Sequence, residues 1–239
     1  MTCFLTSSPC VAGASRLNPA NGFVEELKAA LPPRIHALFV CSDPDGHERT
    51  DRFAADIRES FEAAGFAFAR FDILDGRTED RAAELVSGAD FIILAGGHVP
   101  TQNQFFARVG LRELLQNWDG VVMGISAGTM NSAGTVYAQP ELEGEATSPD
   151  YRRFLSGLGL TATMVLPHYQ MVKDDVLDGL RVFEDITYPD SVGRSFYALV
   201  DGSYLFLHDG VEELRGEAYL IRDGNLQQIS AVGERLSLS

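Results

Sequence analysis

Residues 121–129 read Val121-Val122-Met123-Gly124-Ile125-Ser126-Ala127-Gly128-Thr129: an apolar run, a Gly-x-Ser-x-Gly core, and small residues that open a helix. An apolar run without polar alternation predicts a strand buried on both faces, as in a parallel sheet covered by helices. The glycine-flanked serine predicts a sharp strand-to-helix turn whose strained backbone thrusts a hydroxyl into a cleft. Ser126 is therefore the candidate nucleophile. A plainer reading, a serine capping a helix N-terminus, uses the same residues.

Working outward, strand-length apolar runs alternate with helix-period segments. Arg34 to Cys41 is followed by Glu48 to Ala64, whose Phe53, Ile57, Phe61 and Ala64 share one face. The alternation continues through Phe66 to Leu74, Glu79 to Ser87, Asp90 to Ala95, Asn103 to Gln116 and Gly120 to Ile125. Repeated βα units predict a three-layer α/β fold: a mostly parallel sheet with helices on both faces. After about residue 195, Asp201-Gly202, Asp209-Gly210 and Asp223-Gly224 punctuate short runs and predict antiparallel C-terminal strands joined by tight turns. Gln139 to Asp150 is acidic, carries two prolines, and reads as a surface loop. The whole chain, 1–239, reads as one domain.

Nineteen basic against 34 acidic residues give a net charge of −15, and Lys28 and Lys173 are the only lysines. No polybasic stripe exists to hold phosphates, so nucleic acid and anionic membrane surfaces are excluded as expected partners. The apolar runs fall short of the roughly 20 residues that cross a bilayer. The start, with Cys3-Phe4-Leu5 as a short apolar stretch, has no basic leader, which gives the expectation of a cytoplasmic protein. Cys3, Cys10 and Cys41 lack CxxC spacing and read as small buried hydrophobes; no HExxH spacing suggests a metal, and no cofactor is expected.

A serine nucleophile needs a base, and the chain offers His36, His47, His98, His168 and His208. His36 lies inside an apolar strand, His47 at a helix start, and His208 before a turn. His168 follows Met164-Val165-Leu166-Pro167, where a strand ends and side chains enter an open α/β cleft. It is the preferred base, with a satisfied core histidine as the alternative. Leu94-Ala95-Gly96-Gly97 ends another strand, and its glycines would let a backbone N–H approach a ligand. The Gly97 amide and that of Ala127, at the positive end of a helix, are candidate oxyanion donors.

The Gly-Gly loop, the Gly-Ile-Ser-Ala-Gly elbow about thirty residues later and the downstream Leu166-Pro167-His168-Tyr169 together resemble the dipeptidase E and cyanophycinase family of serine peptidases. That resemblance implies a class I glutamine amidotransferase-like fold with serine at the elbow, nucleophile Ser126, base His168, and oxyanion donors Gly97 and Ala127. The family's acid sits in a Leu-Pro-Glu-Gly stretch, and the similar Leu199-Val200-Asp201-Gly202 implies Asp201, with Glu141, Glu143 and Glu145 as rivals. The glycine loop departs from the family's Gly-Asn-Thr-Phe, running on through residues 98–106 as a longer loop. His98, Gln102 and Asn103 become its candidate substrate contacts, and the family's aspartyl preference is left open here. The resemblance implies hydrolysis of small peptides, dipeptidase-like, through an acyl-enzyme. The alternatives are another amide or ester substrate, or a non-catalytic small-molecule binding protein of the same fold. A homo-oligomer is left open.

Overall fold

A computed structural model describes residues 1–238. Five strands form the parallel part of an eight-stranded sheet: β1 (Thr2–Thr6), β2 (Ile35–Val40), β3 (Phe68–Leu74), β4 (Phe91–Leu94) and β5 (Val121–Ile125). In space they lie in the order β1-β5-β4-β2-β3. Beyond β1 the sheet continues antiparallel through Tyr204–His208, Val211–Arg215 and Arg235–Ser237. The mostly parallel α/β architecture with antiparallel C-terminal strands is thus the one observed.

Burial on both faces follows from the unbroken apolar runs. Successive side chains of a strand point to opposite faces, so Leu38, Val40, Ile92, Leu94 and Val122 pack into one core, and Ala37, Phe39, Phe91, Ile93 and Met123 into the other. Helices α1 (Phe23–Ala30) and α2 (His47–Ala63) cover the second core with Phe23, Leu27, Ile57 and Phe61. The first is covered by α3 (Ala82–Ser87), α4 (Val99–Arg108) and α5 (Leu111–Leu115). After β5 comes a short helix, α6 (Ala127–Asn131).

Two segments differ from the sequence expectation, and one strand lies apart from the large sheet. The segment 98–106 is not a loop: His98 precedes the first turn of α4, where Pro100 fits because the first turn needs no backbone donor. Asn103 to Gln116 is not one helix, because Gly110 turns left-handed at φ 65° and separates α4 from α5. The strand Met164–Leu166 does not join the large sheet. It pairs parallel with Ser195–Leu199 in a separate four-stranded sheet completed by Ala218–Arg222 and Asn225–Ser230. This smaller sheet packs on α6 through a third core in which Tyr137 stacks on Phe196 with ring centroids 4.3 Å apart. No helix among the described residues is long and apolar enough to cross a membrane.

Candidate active site

The carboxyl ends of parallel strands point to one edge of the sheet, where an open α/β fold places its ligands. Ser7 follows β1, Ser42 lies just beyond β2, Gly96 and Gly97 follow β4, and Ser126 follows β5. Ser126 stands at φ 50°, ψ −108°, a backbone that non-glycine residues rarely adopt. The chain around it holds it there. Its N–H donates to the Thr6 carbonyl at 3.2 Å, and Thr129 Oγ1 donates to the same oxygen at 2.7 Å. Two residues on, α6 crosses β4 so closely that a Cβ on Gly128 would lie 2.3 Å from the Leu94 carbonyl oxygen. The elbow glycine there makes room for a helix against a strand.

His168 enters from the smaller sheet. Pro167 ends the strand run, and His168 takes a left-handed backbone at φ 57° before the single-turn helix Tyr169–Val172. Its Nδ1 lies 2.7 Å from Asp201 Oδ1. Ser7, fully buried, ties these two together: its hydroxyl donates to Asp201 Oδ1 at 2.7 Å and accepts from the His168 backbone N–H at 2.8 Å. The Asp201 N–H donates to Gln170 Oε1 at 3.1 Å. Burial alone would raise the Asp201 pKa, but the bonds from His168 and Ser7 outweigh it and hold the carboxyl below its ordinary value.

Ser126 and His168 open on one cleft of about 280 Å³ that Gly97, Gln139, Glu141 and Asp175 also line. The two side chains are not hydrogen-bonded to each other here, a looseness common before substrate aligns such a pair. Gly97 has φ 151°, and a Cβ there would lie 2.3 Å from Ser42 Oγ, so only glycine fits the bend where the chain lines the cleft. The cleft is roofed by the 139–146 loop and the hairpin Val176–Leu177/Leu180–Arg181. Asp178 at the hairpin tip accepts from the Gly144 and Ala146 N–H groups and ties the two together.

The other sequence candidates fall elsewhere. Gln102 is fully buried, its amide donating to the Ala95 carbonyl at 2.7 Å and its oxygen accepting from Asn131 at 3.0 Å. Asn103 donates to Asn131 Oδ1 and the Ser156 carbonyl. Neither lines the Ser126 cleft; both fasten α4, because the helix turns them away from it. His98 lines a neighbouring hollow of about 430 Å³, with both ring nitrogens engaged, by Thr101 at 2.7 Å and Glu145 at 2.8 Å. Glu145 also accepts from the Glu141 and Leu142 N–H groups, so it is a brace of its own loop and not a partner of His168. Glu143 shares that exposed loop. His208 pairs across the sheet near Thr2, at the opposite edge from Thr6 and Ser126. Ser7 is the contributor that the sequence did not single out, and Glu141, a rival for the acid there, lines the cleft without bonding His168. A serine two residues beyond the Cys3-Phe4-Leu5 run was the available signal, had that run been read as a central strand.

A strained serine on a strand-to-helix turn and, across one cleft, an imidazole paired with a carboxylate make up the arrangement that an α/β serine hydrolase requires. Residues 3–214 match the model of peptidase family S51, and the chain belongs to that family, one of serine-type peptidases. A peptidase from an acI-B1 Actinobacterium has a similar structure, with TM-score 0.70 at 18% identity over 99% of this chain and 96% of that one. A putative peptidase E protein from Listeria monocytogenes EGD-e is similar at TM-score 0.61 and 16% identity, covering 96% of this chain and 98% of its own. At those identities the likeness is one of fold. No curated protein matches the sequence.

Proposed function

We propose that this protein hydrolyses small peptides by acyl transfer, with Ser126 as nucleophile, His168 as general base and acid, and Asp201 as the acid that orients the imidazole. In this mechanism His168 Nε2 takes the Ser126 proton as Oγ attacks the scissile carbonyl. The oxyanion is held by the N–H groups of Gly97 and Ala127, and the leaving amine departs with the proton from His168. Water then attacks the acyl-enzyme, His168 takes its proton and returns it to Ser126 Oγ as the acyl–oxygen bond breaks, and the acid product leaves. Asp201 accepts from Nδ1–H, fixes the tautomer and stabilises the imidazolium. No cofactor enters these steps. The residues act as one domain, since the nucleophile comes from the large sheet and the base and acid from the smaller one and its following turn.

The observation that carries the reading is that His168, bonded to Asp201 at 2.7 Å, faces the same cleft as the strained Ser126. The test is turnover of dipeptide, blocked-peptide and ester panels by wild type and Ser126→Ala. Peptide hydrolysis should dominate and fall by roughly 10⁶-fold in kcat in the variant, which keeps the elbow glycines and so the fold. Ester-only turnover would move the substrate class. Near-wild-type peptide turnover by Ser126→Ala would remove the serine mechanism.

A further inference from the structure

The cleft at Ser126 carries an uneven charge. Glu141 and Asp175 supply carboxylates to its wall, His168 is its one basic side chain among the described residues, and neither lysine nor arginine lines it. Its volume of about 280 Å³ lies just below the range of about 300 to 1,000 Å³ for small-ligand sites, so a short substrate suits it. Glu141 is placed with unusual definition for a loop residue. Its Oε1 accepts from the Val99 N–H at 3.2 Å, two residues after Gly97, and its own N–H donates to Glu145 Oε2 at 2.9 Å. Glu145 is in turn held by His98. Glu141 and Gly97 both line the cleft and the neighbouring hollow, so the carboxylate stands in the wall between them, open to solvent on that side.

We propose that Glu141 determines specificity at this site: its carboxylate receives the free α-ammonium group of a short peptide whose first carbonyl lies between Ser126 and the Gly97 N–H. This rests on the peptidase reading above. In an N-terminal residue the amine and carbonyl carbon are separated by two bonds, about 2.5 Å, so a carbonyl at Gly97 brings the amine beside whatever the Gly97–Val99 backbone holds. What it holds is Glu141. The same charge works against an acidic side chain on that first residue, which would meet two carboxylates. Arg49 in the neighbouring hollow does not reverse this, because it is paired with Asp43 at 2.9 Å. Crowding by the surrounding protein raises the Glu141 pKa above its ordinary value, against the bond from Val99 and the pull of His98. A carboxylate kept at such a disadvantage gains most from a cationic partner.

The test compares free and N-acetylated dipeptides, and Asn-Ala with its isostere Asp-Ala, on wild type and Glu141→Gln. Wild type should favour the free amine by at least about 100-fold in kcat/KM and Asn-Ala over Asp-Ala by at least about tenfold. Glu141→Gln should shrink both ratios to within a few-fold, mainly by raising KM for free-amine substrates, with a melting temperature at neutral pH no lower than wild type. A parallel arm measures binding of Ala-Ala and acetyl-Ala-Ala to Ser126→Ala and to Ser126→Ala/Glu141→Gln by calorimetry. If nothing is hydrolysed by wild type, the peptidase reading fails while this arm still decides the role of Glu141. Equal use or binding of free and acetylated peptides, preference for Asp-Ala, or unchanged discrimination in Glu141→Gln would overturn the proposal.

Discussion

At Ser126 a cost is built into the backbone, φ 50° and ψ −108°, and the bonds to Thr6 are what maintain it. The same economy of parts recurs at Ser7, whose single hydroxyl bonds both the acid and the backbone of the base. If Asp201 orients His168, Asp201→Asn should lower kcat by roughly 10⁴-fold by favouring the wrong imidazole tautomer. Glu145→Gln, which loosens only the loop brace, should alter kcat far less. The comparison is of kcat after each protein is shown to melt normally, and the reverse ranking would transfer the acid to the loop. Asp201 also has a signature in stability. Its carboxyl is held below its ordinary value, about 3.9 for a free aspartate, so it stabilises the fold at pH above that value and loses the contribution as pH falls through the folded-state pKa. The melting-temperature advantage of wild type over Asp201→Asn, measured between about pH 7 and pH 2, should therefore shrink at the acid end.

Among the elements, the contact between α6 and β4 sets where the nucleophile stands. Gly128→Ala would push a methyl into the Leu94 carbonyl, and backbone cannot yield as a side chain can. We expect a loss of about 1–3 kcal/mol in urea unfolding together with reduced turnover, since the elbow must shift to relieve the clash. A variant as stable and active as wild type would show that α6 has slack. This helix, β5 and the central strands were legible in the sequence because runs such as Phe91-Ile92-Ile93-Leu94 admit one reading, burial on both sides. The 98–106 segment was not legible in the same way. Its polar residues suggested a loop, but Gln102 is buried by a tertiary bond to the Ala95 carbonyl, a contact that no local pattern encodes. The N-terminal strand β1 was equally hidden: Cys3-Phe4-Leu5 is short, yet it lies between β5 and Tyr204–His208 at the centre of the sheet.

Across the whole molecule, Ser126 and the proposed oxyanion donors Gly97 and Ala127 follow strands of the large sheet, whereas the smaller sheet and the turn after it deliver His168 and Asp201. Motifs singled out Ser126, His168 and Asp201, which the fold brings together; that two sheets must meet to do so was not legible, because the pairing of Met164–Leu166 with Ser195–Leu199 is long-range. The proposed mechanism depends on their union, because the proton acceptor for Ser126 comes from the other sheet. The direct measurement is reaction of the intact protein with a fluorophosphonate, followed by peptide mapping of the adduct. Wild type should acquire one phosphonyl group, on Ser126, with His168→Gln labelled far more slowly and Ser126→Ala not at all, because an unactivated hydroxyl does not react appreciably with the reagent. Labelling on another residue, or equal labelling rates for wild type and His168→Gln, would contradict the account.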